Sequence, residues 1–83
     1  MKIFYTARAV KQLSELPKSI QKRIAQKMRF YVSQNNPLKF AEKLTDYHEG
    51  EFRFRVGDYR IIFDVDKDKI LILKIGHRKD VYV

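Results

Sequence analysis

The chain has no cysteine, two histidines, little acid and no long apolar run. Without cysteine it can form neither disulfides nor thiolate metal sites, and a reducing cytoplasm is the compartment it fits most easily. His48 and His77 are too few and too far apart to suggest zinc ligation. No segment approaches the roughly 18–20 apolar residues needed to span a bilayer. The opening MKIFYTARAV, interrupted by Arg8, has no stretch suited to a signal peptide. A cytoplasmic protein with no membrane partner is therefore expected. Nor is there a Gly-rich phosphate loop, a pair of catalytic carboxylates or a serine–histidine–acid arrangement. Repeats, low-complexity tracts and linkers are likewise missing, so residues 1–83 read as one domain with no cofactor.

What is present is positive charge. Eighteen lysines and arginines face ten acids, for a formal net charge of +8 and a pI near 9.9. At 10.0 kDa that balance points to nucleic acid or an acidic protein as partner. The 45% hydrophobic and 34% charged composition belongs to a folded globular chain. A chain this short buries only about 60–65% of its unfolded surface, so its stability is expected to be marginal without a partner.

The most informative stretch is EFRFRVGDYRIIFDV, residues Glu51 to Val65. It alternates apolar and charged residues, breaks at Gly57-Asp58, and alternates again, which predicts a hairpin of two half-buried strands. With a two-residue loop, Phe52, Phe54 and Val56 share a face with Tyr59, Ile61, Phe63 and Val65. The other face carries Arg53, Arg55 and Arg60, and Arg55 stands directly opposite Arg60. Like charges across a ladder are destabilising, so the arrangement suggests a face that binds a polyanion. Glu51 and Asp64 are the acids expected to balance it, with Asp64 diagonal to Arg53.

Before the hairpin, Lys2 to Tyr5 suits a strand. Thr6 is a natural N-cap for a helix over Ala7 to Leu16, which Pro17 ends. A second helix is predicted from Lys18 to Ser33, with Ile20, Ile24, Met28 and Tyr31 on one face and many cations elsewhere. Asn35-Asn36-Pro37 ends it. Residues Leu38 to Gly50 give no clear pattern. After the hairpin, Ile70 to Ile75 reads as a strand apolar on both faces except at Lys74. If Leu71, Leu73 and Ile75 lie on the core face, Lys74, Gly76 and Arg78 join the arginines. The resulting class is α+β: a two-layer β-α-α-β-β-β arrangement, with two N-terminal helices packed on a small, mainly antiparallel sheet.

Arginine forks bidentately onto phosphate oxygens, so Arg55, Arg60 and Arg78 on one rigid face could hold phosphates or stabilise a charged phosphorane. His77 is a candidate acid–base, although strand parity puts it on the face opposite Arg78. Tyr82 could stack on a nucleobase or pin the C-terminal tail to the core. Tyr59 reads as core, and the cations of the second helix as a solvated face or a second nucleic-acid footprint.

FRFRVGDYRIIFDV followed by ILKIGHRKDVYV, with the opening KIFYTARAVKQLSELP, resembles the RelE/ParE superfamily of type II toxin–antitoxin toxins, in its RelE branch. The resemblance implies a metal-independent endoribonuclease that enters the ribosomal A site and cuts mRNA there. In that reaction the 2′-hydroxyl attacks the adjacent phosphate. By position the resemblance implies RNA-site roles for Arg53 and Arg55, scissile-phosphate contact for Arg60, a matching arginine at Arg78 and a base-stacking tyrosine at Tyr82. His77 gains weight because a C-terminal histidine serves in some related toxins, and Lys74 is an RNA-binding candidate on the same face. The implied partners are a RelB-like antitoxin, the ribosome and its mRNA, with operator DNA reached only through the antitoxin. Arginines stand where the best-known RelE toxins carry lysines, which leaves the proton acceptor unidentified. Two other readings of the resemblance are a ParE-like protein that poisons DNA gyrase and a relative that only binds antitoxin.

Overall fold

The computed structural model describes residues 1–45 and 49–81. The opening apolar run forms strand β1 (Lys2–Tyr5). Thr6 stops it, because its hydroxyl accepts the Ala9 N–H at 3.1 Å and satisfies one of the orphan donors of the first helical turn. Helix α1 (Ala7–Ser14) ends two residues before the expected Leu16, at a tight turn where the Leu16 N–H donates to the Leu13 carbonyl. Helix α2 runs Lys18–Ser33, the expected span. Pro17 stands at its N-cap, a position where a missing N–H costs nothing.

A 3₁₀ turn over Pro37–Phe40 leads into strand β2 (Glu42–Lys43). Strands β3 (Phe52–Val56), β4 (Tyr59–Asp66) and β5 (Lys69–His77) follow, and a short helix α3 (Arg78–Val81) comes last. The described residues form one sheet in the order β1-β5-β4-β3-β2. Strand β1 runs parallel to β5 and every other pair is antiparallel. The expected α+β plan therefore holds, with β2 and α3 as additions.

One face of the sheet carries the core. Phe54, Ile61, Phe63, Ile70 and Ile72 are fully buried there against Ala9, Ile24, Met28 and Tyr31 from the helices. Tyr31 stacks on Phe54 at 4.3 Å and Phe54 on Phe63 at 4.4 Å, with Phe52 next at 5.6 Å. Such contacts stabilise beyond the area they bury.

The β3–β4 register is the expected one, with Phe54 opposite Ile61 and Arg55 opposite Arg60. The parity of β5 is not. Ile62 pairs with Lys74 but Phe63 pairs with Ile72, so Leu73 is the extra residue of a β-bulge. One inserted residue switches the face of everything beyond it. Ile70 and Ile72 consequently fill the core in place of Leu71 and Leu73, and Leu71 is exposed. Leu73 lies with Ile62 on the other face, where Gly50 covers them: a Cβ on Gly50 would stand 2.6 Å from Ile62 Cγ2 and 3.1 Å from Leu73 Cδ1.

The β4–β5 loop places Lys67 at φ 57°, a left-handed conformation that costs a side-chain-bearing residue about 1–2 kcal/mol. Lys67→Gly should relieve that strain, partly offset by the roughly 0.5–1 kcal/mol that glycine's extra freedom adds to the unfolded state. Urea unfolding should therefore show a net gain of up to about 1 kcal/mol. A less stable variant would contradict the strain.

Candidate nucleic-acid interface

The sheet face away from the helices presents the arginines, and the hairpin explains how two can stand opposite each other. Arg60 lies down along the loop, with Nη1 donating to the carbonyls of Gly57 at 2.9 Å and Tyr59 at 3.1 Å. It is only 8% exposed. Its buried Nε has no acceptor among the described residues. Arg55 turns outward instead, and its Nε meets Glu42 Oε1 at 2.7 Å. Arg53 Nη2 reaches Glu42 Oε2, also at 2.7 Å. The like charges are thus separated by direction, one anchored inward and one drawn to a carboxylate.

Glu42 is the residue that sequence reasoning missed. It comes from β2, which pairs with β3 so that Glu42 stands opposite Arg53. The Arg53 hydrogen bond, assisted by the positive field of Arg53, Arg55 and Arg60, holds its carboxyl below the usual glutamate range. The expected balancing acids are engaged elsewhere. The Glu51 N–H donates to Asp64 Oδ1 at 2.9 Å and the Val65 N–H to Glu51 Oε1 at 3.2 Å, which ties β3 to β4.

A depressed carboxyl stabilises the fold above the unfolded value, and that contribution is lost as pH falls through the lower folded value. Glu42 should therefore titrate below 4.5, its ordinary value, and stay ionised through the neutral range. A side-chain NMR titration checks this. Arg53→Gln should move the midpoint up, and a wild-type midpoint at or above the ordinary value would refute the bridge.

The other candidates scatter. Strand β5 ends at His77, so Arg78 begins a helical turn instead of continuing the face. Its N–H donates to the Asp58 carbonyl at 2.8 Å, and its Nε lies 3.9 Å from Asp58 Oδ1. Arg78 therefore sits at the Gly57-Asp58 loop, whose other carbonyl holds Arg60. Lys74 is on the arginine face, but its side chain is only 14% exposed and faces Glu49 at 3.6 Å and the Val81 carbonyl at 3.4 Å. It steadies the turn that carries Arg78. His77 pairs with Tyr59 on the core side, edge-to-face at 5.5 Å. Its Nδ1 accepts the Lys79 N–H at 3.2 Å, so the structure does not bring it to the arginines. Tyr82 lies outside the described residues. Among the described residues no group of three or more His, Asp or Glu could hold a metal, and no helix is long and apolar enough to cross a membrane.

Known proteins share this plan. The family model described as ParE toxin of type II toxin–antitoxin system, parDE, matches residues 3–82. Toxin RelE3 of Methanocaldococcus jannaschii is 38% identical over 99% of this chain and 96% of its own length. The RelB–RelE antitoxin–toxin complex from Methanococcus jannaschii contains a chain with a TM-score of 0.75 and 31% identity, covering 95% of this chain and 94% of that one. The toxin–antitoxin complex RelBE2 of Mycobacterium tuberculosis gives 0.77 at 26% identity, over 93% and 96%. With nearly its whole length matched in sequence and in fold, the chain belongs to the ParE toxin family of type II toxin–antitoxin systems, as a RelE-like member.

Proposed function

We propose that this toxin cuts messenger RNA in the ribosomal A site, and that the arginine face of the hairpin is where it does so. The observation that carries the reading is Arg60. Its guanidinium is held in place by the Gly57 and Tyr59 carbonyls, and its buried Nε has no acceptor among the described residues, so a phosphate drawn to this face meets a positive charge fixed in advance. Arg55, directly opposite, and Arg78, at the same loop, add charge where a phosphorane would develop it. Arg53 extends the RNA-contact surface, and Tyr82 remains the candidate to stack on a base.

Glu42 supports an answer to the missing proton acceptor. It is an ionised carboxylate between Arg53 and Arg55. An RNA phosphate that competes for those arginines would loosen its ion pairs and raise its proton affinity. In the proposed step the 2′-oxygen gives its proton to Glu42 and bonds to phosphorus. The bond from phosphorus to the 5′-oxygen breaks, and that oxygen takes a proton from water. The products are a 2′,3′-cyclic phosphate and a 5′-hydroxyl. His77, turned toward Tyr59, is less well placed for the role.

The proposed partner is a RelB-like antitoxin, in line with the RelB–RelE complexes of the similar structures. Binding an acidic segment would offset the +8 charge and add buried area to a small core. Purified toxin added to programmed ribosomes should truncate the message at the A-site codon, and antitoxin should suppress this. Intact message from toxin that still arrests growth would sink the proposal. The ParE description of the family model supports a second reading, inhibition of DNA gyrase. Accumulation of gyrase-cleaved DNA with intact message would favour it.

A further inference from the structure

Between Glu15 and Glu42 the chain has no acid but six cations: Lys18, Lys22, Arg23, Lys27, Arg29 and Lys39. None of them forms an ion pair among the described residues. Helical spacing sorts those on α2. Arg23, Lys27 and Phe30 fall at i, i+4 and i+7 on one flank, while Lys22 and Arg29 fall on the other. The first flank meets the arginine face at Gly57. A Cβ on that glycine would stand 3.2 and 3.3 Å from the two Nη atoms of Arg23, and the Gly57 carbonyl is the one that accepts Arg60 Nη1 at 2.9 Å. Two guanidiniums from different elements thus flank one residue, while the neighbouring Asp58 carboxylate is turned toward Arg78 at 3.9 Å. At the far end of the flank, Lys27 Nζ lies 5.9 Å from the Phe30 ring. Phe30 meets Phe40 edge-on at 5.5 Å, and the two rings are 47% and 44% exposed.

Cations without counter-charge beside exposed rings suit a ligand that alternates anions with flat apolar faces. Single-stranded RNA is such a ligand, whereas a duplex hides its base faces. We propose that Arg23, Lys27 and the Phe30–Phe40 pair form a second RNA track that continues the Arg60 site around the edge of the sheet. Phosphates lie on Arg23 and Lys27, and a base stacks at Phe30. The inference rests on the reading that Arg60 receives RNA phosphate. It assigns the flanking strand of the same message to α2.

The test measures binding of the full chain to a short unstructured oligoribonucleotide, without ribosomes, by fluorescence anisotropy across salt. Arg23→Gln/Lys27→Gln should flatten the plot of log affinity against log salt by about 1.4, at roughly 0.7 per phosphate on a single strand. Phe30→Ala should weaken binding by about 5- to 150-fold with the slope nearly unchanged, and should leave duplex RNA binding unaltered. All three side chains are exposed, so circular dichroism should show every variant folded at the assay temperature. No measurable wild-type binding, unchanged slope and affinity in the variants, or an equal loss on duplex would each overturn the track. Loss of antitoxin binding with RNA binding intact would assign the surface to a protein partner and overturn it too. If the slope changes while wild-type toxin leaves ribosome-bound message intact, the track stands and the cleavage reading falls.

Discussion

Arg60→Ala should lower the rate of message cleavage on programmed ribosomes by about 10²–10³-fold, the usual loss when one preorganised donor to a developing oxyanion is removed. The magnitude follows from placement. Arg60 is the second residue of β4, is 8% exposed, and is fixed by the Gly57 and Tyr59 carbonyls. Those same bonds give it a structural share, since hydrogen bonds from charged groups contribute about 1.5–3 kcal/mol each. Rates must therefore be compared at a temperature where circular dichroism shows both proteins folded. Arg60→Lys separates the two roles: it keeps the charge but loses the fork and Nε, and its rate should fall between wild type and the alanine variant. A folded Arg60→Ala protein that cleaves at the wild-type rate would remove Arg60 from the chemistry.

Phe54→Ala should be the most damaging change to the fold. The ring is fully buried between Tyr31 and Phe63, and deleting a core phenylalanine costs about 3–5 kcal/mol. A chain of this length has only about 4–12 kcal/mol in total. The melting temperature should fall by more than about 12 °C. The damage should also reach the site, because the Tyr31 hydroxyl donates to the Arg55 carbonyl at 3.2 Å and so fixes the strand that carries the arginines. A tight antitoxin should restore the folded state, since a ligand at a thousand times its dissociation constant adds about 4.1 kcal/mol. A loss under about 1 kcal/mol would mean that the aromatic stack is not the centre of the core.

The hairpin was legible because a period of two, interrupted by two residues, admits one register. That register set Arg55 against Arg60, and the structure keeps the pair. The spacing of Ile20, Ile24, Met28 and Tyr31 likewise marked the buried side of α2. Other features left no periodic trace. Strand β2 is two residues long, too short to show alternation, so Glu42 gave no sign of being the counter-ion for two arginines. The run from Ile70 to Ile75 is apolar at almost every position, and an insertion at Leu73 does not disturb such a pattern. The parity of Leu71 and Leu73 was therefore misread. Arg78 was placed by extrapolating a strand that ends one residue earlier. The exposed Phe30 resembles a core residue in any sequence pattern, and only packing reveals it as surface.

The proposed mechanism requires the arginine face to promote attack by a 2′-hydroxyl within ribosome-bound message. It is tested most directly by programming ribosomes with two messages that differ only in a 2′-deoxy substitution at the attacking A-site nucleotide. The all-ribose message should be cut to a 2′,3′-cyclic phosphate and a 5′-hydroxyl while the 2′-deoxy message stays intact. Equal cleavage of both messages, or of neither, would contradict it.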